Sequence, residues 1–230
     1  MATQDLAAVN DEAANGDLVT GDSTLMKIAT WLTDCAVNGI GPLSSSAKLA
    51  EKYKIDTDYP DDDERVDSLI NWETTRNFAT GFITGLGGFV TLPVTVPAGL
   101  AAAWAVQARM VGAIAEIYGY SINDKRTQTA VLLSLVGSEA VEVLKSAGVK
   151  IGTRFTENLI AQIPGRMLIE INKKVGMRLL TKAGEKGIIN LSKLVPIIGA
   201  PISGGFDAAM CRTVGKVAKA AFRPGKGKTD

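Results

Sequence analysis

Four short patterns in this chain carry side chains that could do chemistry, and each falls short of a mechanism. Gly21-Asp22-Ser23-Thr24-Leu25 sets a serine in a lipase-like nucleophile block. Such a serine needs a base to take its proton, and its place just ahead of an apolar-periodic tract equally suits a helix cap. Ser45-Ser46-Ala47-Lys48 satisfies Ser-x-x-Lys, but the companion motifs are missing and a run of serines makes such matches easy. Gly225-Lys226-Gly227-Lys228-Thr229 ends like a phosphate loop, yet the leading glycine that such a loop requires would fall on Phe222. Arg109 and Glu116 stand two helical turns apart on one face, where they could form a buried polar site, as could Asp207 with a nearby lysine. A structural ion pair or a helix cap accounts for both without catalysis.

The chain contains no histidine. That removes imidazole acid/base work, His-dependent triads and the usual His-containing zinc sites. A hydrolase using carboxylates or serine is the enzyme class left open, and no catalytic residue is singled out for it. Cys35 and Cys211 are widely separated and in no metal-ligand spacing, so two buried thiols in a reducing compartment are expected rather than a disulfide scaffold. Neither a metal nor a cofactor is implied.

The elements around these patterns are more informative than the patterns. Residues 77–108 carry no charged side chain, and Pro93 and Pro97 divide that run into two arms, each short of the roughly 20 apolar residues that cross a bilayer. Gly81, Gly85 and Gly88 recur at helical spacing, putting glycine on one face where another backbone can approach. Water alone would not reward them, since glycine costs roughly 1 kcal/mol against alanine inside a helix. The reading is a helical hairpin, either packed in the protein's own core or seated in a membrane. In the second case Phe82, Ile83, Leu86, Phe89, Val90 and Leu92 would enter the apolar layer. A second Gly/Pro-interrupted apolar block, residues 194–206, is also uncharged and too short to span.

The near-zero net charge conceals a split. Residues 1–75 hold 15 acidic and 5 basic side chains, residues 76–230 hold 9 and 20. Opposite fields of this size could hold the N-terminal part against the remainder, or direct the basic part toward an anionic surface. Within the basic part, Arg166, Lys173, Lys174, Arg178 and Lys182 lie on an amphipathic tract suited to anionic lipid. The same tract could be an ordinary solvated face. Nucleic acid is the poorer partner, because residues 145–193 offer only Phe155 for base stacking.

Periodicity gives the remaining organisation. Residues 1–22 are small, polar and acidic, and read as a disordered lead. They lack the basic and apolar regions of a signal peptide, so the N-terminus is expected to stay in the cytoplasm. Residues 23–60 read as N-terminal helices and an acidic loop: Asp22 or Ser23 caps a helix with Leu25, Ile28, Leu32 and Cys35 on one face and Gly39 as its stop. Residues 61–222 read as the main helical domain, with helices from Asp61 into the uncharged run, from Pro97 to Tyr118-Gly119-Tyr120, and at about 124–148, 153–162 and 165–184. The acidic N-terminal part is expected to be separate or loosely docked, and residues 223–230 to be a flexible basic tail.

These residues together resemble the EcsC family of bacterial proteins. The likeness lies in residues 80–120, from Thr80 through Pro93 and Pro97 to Tyr120, in residues 163–209, and in the closing Val214-Gly215-Lys216-Val217-Ala218-Lys219-Ala220-Ala221-Phe222. It covers roughly residues 70–222. The resemblance implies an all-α single domain with no catalytic motif, and it marks as pattern positions Gly85, Gly88, Pro93, Pro97, Arg109, Tyr118, Gly119, Arg166, Lys193, Pro196, Gly199, Gly204, Gly205 and Asp207, with an architectural role. The family takes its name from a gene beside those of an ABC transporter. The functional expectation is a non-enzymatic protein associated with membrane lipid at the cytoplasmic face of the inner membrane, accessory to a membrane system and open to a protein partner. The alternative is a soluble, cytoplasmic helical module that binds a partner or a lipid-like ligand.

Overall fold

The computed structural model describes residues 23–79, 96, 98–150, 163–192 and 200–224, with side chains described for 23–75, 96, 98–150, 163–182 and 208–224. The fold is all-α: α1 (23–38), α2 (Ser46–Lys54), α3 (Asp62–Ala79), α4 (Ala98–Ile117), α5 (Lys125–Leu135), α6 (Ala140–Ser146), α7 (Leu168–Ser192) and α8 (Ala200–Phe222). Single 3-10 turns, Gly137–Glu139 and Gly165–Met167, precede α6 and α7. No strand occurs among the described residues.

α4 is the axis of the bundle. Its alanines at 101, 102, 103, 105, 108, 113 and 115 are all buried, together with Trp104, Val106, Met110, Val111 and Ile114. Small side chains all round let α2, α3, α5 and α8 pack closely on it, and apolar burial of this kind is the main source of stability. The helix closes with the hydrogen-bond pair that follows a left-handed residue: Gly119, at φ 84°, donates to the Glu116 carbonyl at 3.1 Å, and Tyr120 donates to the Ala115 carbonyl at 2.9 Å.

The remaining helices follow local rules. α1 buries Leu25, Ile28, Leu32 and Cys35, the face expected from spacing. The Ser45 hydroxyl caps α2 by accepting from the Lys48 amide, and the Asp61 carboxylate does the same for α3 at the Glu64 amide. Asp62, Asp63 and Glu64 then occupy the positive end of α3. α8 buries Cys211, Val214, Ala218, Ala221 and Phe222, a stripe at helical period.

Two expectations require correction. The helix read over 124–148 is broken: Gly137 adopts φ 64°, a left-handed conformation no continuous helix contains, so α5 ends before it and α6 is a separate helix. The acidic N-terminal part is not loosely docked in its described portion, because Ile28, Leu32, Leu49, Ala50, Val66 and Leu69 belong to the same core as α4 and α8. The lead at 1–22 and the helix read at 153–162 lie outside the described residues.

Candidate functional site

The site is best understood as two ends of one three-helix stack. Along α3, Asp63 meets Arg223 of α8, Asp67 meets Lys219 at 2.7 Å, and Ile70 packs at Gly215. The residue numbers rise on one helix as they fall on the other, so α3 and α8 are antiparallel. The same holds for α3 and α4, where Glu73 pairs with Arg109 and Asp63 with Tyr118. α4 and α8 are therefore parallel, as the contacts Met110 with Cys211 and Tyr120 with Phe222 independently require.

One end of the stack is a charged clamp centred on Asp63. Its carboxylate accepts from the Tyr118 hydroxyl at 2.6 Å and pairs with Arg223, while its backbone carbonyl accepts from Lys219 Nζ at 3.1 Å. Burial, and then the hydrogen bond to Asp63 and its charge, push the Tyr118 phenol well above the ordinary range. The sequence places Arg223 at the start of a flexible tail, but its ion pair with Asp63 makes it part of the folded body. The rest of that tail, 225–230, lies outside the described residues.

Nearly three turns along α3, Arg109 is buried against Glu73. Its Nη1 lies 3.2 Å from Glu73 Oε2, its Nε donates to the Ser44 carbonyl at 2.6 Å, and its own carbonyl accepts from the Ser46 hydroxyl at 2.9 Å. The Tyr53 phenol is pushed up to about 12, by burial first and by the Glu73 charge second. The Cys211 thiol is pushed up to about 12 by burial, with Thr74 as its polar neighbour. A protonated, enclosed thiol is a poor nucleophile. This constellation ties the 40–46 loop and α2 to α3 and α4, which is architecture. Glu116, the partner suggested by spacing, instead accepts from the Ile122 amide at 2.7 Å. Among the described residues, no three His, Cys, Asp or Glu side chains gather to hold a metal.

The opposite end carries no charge on any of the three helices. Beyond Arg76 on α3 and Asp207 on α8 come Asn77–Ala79, the first residues of α4 and the first seven of α8, all uncharged. At 1.5 Å per residue this end lies about 24 Å from Asp63. Both uncharged runs found in the sequence leave from it: the chain departs α3 at Ala79 and re-enters at Ala98, and it enters α8 at Ala200. Phe82, Ile83, Gly85, Leu86, Gly88, Phe89, Val90, Leu92, Pro93, Pro97, Lys193, Pro196 and Gly199 themselves lie outside the described residues. Gly204, Gly205 and Asp207 fall within α8. Trp72 is 58% exposed on α3, about two turns short of this end. α4 is the one described helix long and apolar enough to cross a membrane, and 83% of its apolar window is buried.

The bases of α7 whose side chains are described, with Arg166 of the turn before it, divide into two groups. Arg178 binds Glu142 at 2.8 Å and Glu139 at 3.5 Å, and Lys182 binds Glu139 at 2.8 Å, so these two hold α7 against α6 and the turn before it. Lys174 makes a one-turn pair with Glu170, Lys173 is half-buried, and Arg166 is exposed in the 3-10 turn.

Comparison with known proteins adds one result. A family model described as the EcsC protein family matches residues 43–224, which is most of the chain. The chain belongs to the EcsC family. No curated protein and no solved structure matches it. The EcsC match starts well before the residue 70 read from the motifs, and the geometry gives the reason: Ser44 and Ser46 hold Arg109, so the loop before α2 is part of the EcsC body. Of the EcsC pattern positions, Arg109, Tyr118 and Gly119 sit at helix junctions. Their partners Glu73, Asp63 and Ser44 were not singled out in the sequence, since each lies 36 or more residues away from the group it binds.

Proposed function

We propose that this EcsC chain is a non-enzymatic, membrane-associated helical protein, held peripherally or monotopically at the cytoplasmic face of the inner membrane as an accessory or effector of a membrane system. The observation that carries this reading is the register of α3, α4 and α8, because it joins both uncharged runs to one end of the stack and the charged clamp to the other. A three-helix stack with one uncharged end and one charged end has an orientation to offer a bilayer. Phe82, Ile83, Leu86, Phe89, Val90 and Leu92 are the residues assigned to the apolar layer, with Trp72 near its boundary, where tryptophan is favoured. Arg166, Lys173 and Lys174 are the bases assigned to anionic headgroups.

Flotation of the purified chain with phosphatidylcholine vesicles, with and without phosphatidylglycerol, tests this. Binding that resists a salt wash is expected, because salt screens basic contact but not apolar insertion. Absence from both vesicle fractions would overturn the reading. A second reading, a soluble helical module for a partner or a lipid-like ligand, is favoured by the burial of α4 inside the bundle. A monodisperse, detergent-free protein that stays with the cytosol on fractionation is its signature.

A further inference from the structure

α6 and α7 run antiparallel. Lys182 meets Glu139, Arg178 meets Glu142, and a Cβ on Gly148 would stand 3.2 Å from Met167 Cε, so residue numbers fall on α7 as they rise on α6. The C-terminal end of α6 therefore shares one end of the pair with the turn that starts α7. That end holds an open cleft of about 620 Å³ lined by Lys145, Gly148, Val149 and Lys150. Its size falls within the roughly 300–1,000 Å³ of small-ligand sites. Gly148, left-handed at φ 82°, puts no side chain into it, and Val149 is buried beside it.

The charges around the cleft do not balance. The carboxylates among the described residues from 137 to 182 are Glu139, Glu142 and Glu170, and each holds a base of α7: Glu139 holds Lys182 at 2.8 Å, Glu142 holds Arg178 at 2.8 Å and Glu170 holds Lys174 at 3.2 Å. Lys145 and Lys150 are exposed on the cleft, Arg166 is exposed next to Met167, and none of the three makes an ion pair among the described residues. The carbonyls that would repel an anion at the end of α6 are occupied. Val143 accepts from the Ala147 amide at 3.0 Å, Leu144 from the Val149 amide at 2.9 Å and Lys145 from the Gly148 amide at 2.9 Å.

We infer that this cleft binds a phosphomonoester, its phosphate between Lys145 and Lys150 with Arg166 at the edge, and the carbon chain that bears it against Val149. A phosphomonoester carries about −1.5 to −2 charge at pH 7 and offers three strong acceptor oxygens. Two or three uncompensated bases match that charge better than they match a carboxylate or a phosphodiester, each with a single charge. The group is carried either by a soluble ester or by a lipid headgroup. The lipid source rests on the membrane association proposed above; the phosphate site does not.

Titration of the full chain with glycerol 3-phosphate, followed by backbone amide NMR shifts, tests the site. Shifts are expected to gather at Lys145, Gly148, Val149 and Lys150. Affinity should fall roughly tenfold in Lys145→Gln and in Lys150→Gln, and be retained in Lys145→Arg. Both lysines are exposed, so these variants keep the fold, which circular dichroism checks. Shifts that are absent, that spread evenly to Lys48, Lys52 and Lys216, or that survive both glutamine variants would overturn the site. The source is read by flotation with phosphatidylcholine vesicles containing phosphatidic acid or, at matched surface charge, phosphatidylglycerol. A roughly tenfold preference for phosphatidic acid, lost when Lys145→Gln and Lys150→Gln are combined, assigns the phosphate to a lipid. Glycerol 3-phosphate binding with no binding to either vesicle assigns it to a soluble ester, and overturns the membrane reading while the site stands. Vesicle binding without preference, together with no response to glycerol 3-phosphate, overturns the site and leaves the membrane reading standing.

Discussion

The Tyr118 hydroxyl donates to the Asp63 carboxylate at 2.6 Å, joining the C-terminal turn of α4 to the N-terminal turn of α3. Tyr118 is buried and Asp63 also holds Arg223, so the bond seals the charged end of the stack. Tyr118→Phe removes the donor and keeps the ring. A loss of about 1 kcal/mol in urea unfolding is expected, at the low end for a bond to a charged group because Asp63 is partly open to water. Unchanged stability would show that the bond adds nothing to the clamp.

The same phenol gives the chain an alkaline limit. Tyr118 and Tyr53 are both raised above 10.0, and Cys35 and Cys211 above 9.0, with burial the largest cause in each case. A raised folded pKa contributes stability that is whole below the unfolded value and is lost as pH climbs from there through the folded value. Stability should thus hold to about the ordinary thiol value and decline steadily from there toward 12. Thermal unfolding followed by circular dichroism across that range measures it, and Tyr118→Phe should flatten the upper part of the decline.

Breaking the Arg109–Glu73 pair has a larger effect. Both side chains are almost fully buried, and removing one takes from the other an ion-pair partner at 3.2 Å. Arg109→Met or Glu73→Gln should each cost about 3–5 kcal/mol, while the double variant costs less than the sum. Additive losses in a double-mutant cycle would mean that the two charges are solvated independently.

How far the fold could be read in advance follows from where its determinants lie. The α1 face, the Gly39 stop, the acidic start of α3 and the Tyr118-Gly119 terminus are local patterns, and spacing alone carries them. Gly137 is not: one glycine in a run of helix formers is tolerable on propensity, so nothing local announces the left-handed turn that separates α5 from α6. The polar partners are equally hidden. Arg109 was matched to Glu116 because seven residues return to one face, but two turns span about 10 Å, too far for a bond, and the true partner arrives from α3. Arg178 and Lys182 looked alike to Lys173 and Lys174 in sequence, until α6 brought Glu139 and Glu142 to two of them.

Two glycines separate backbone strain from crowding. Gly119 has a φ of 84° with open space where a Cβ would go, so Gly119→Ala should cost only the roughly 1–2 kcal/mol of a left-handed alanine. Gly176→Ala puts a methyl against the Leu25 backbone, which no rotamer change relieves, and should lift α1 off α7. Hydrogen exchange in α1 would then rise for Gly176→Ala and stay unchanged for Gly119→Ala.

A buried hydroxyl offers the opposite sign. Thr129 Oγ1 is enclosed without a hydrogen-bond partner among the described residues. Thr129→Val keeps the shape and drops the unmet polar atom, so stability should stay level or rise by up to about 1 kcal/mol. A marked loss on denaturant unfolding would reveal an unseen partner.

The clamp also sets a timetable for the nascent chain. Lys219 reaches the Asp63 carbonyl across 156 positions, and Phe222 is wholly enclosed, so α3 and α4 must wait for almost everything after them before their core is sealed. Contacts so distant in sequence slow folding and prolong exposure of apolar surface. While it is being translated, this protein carries an open alanine-rich seam that closes only when α8 leaves the ribosome, and chaperone dependence should track the integrity of that last helix.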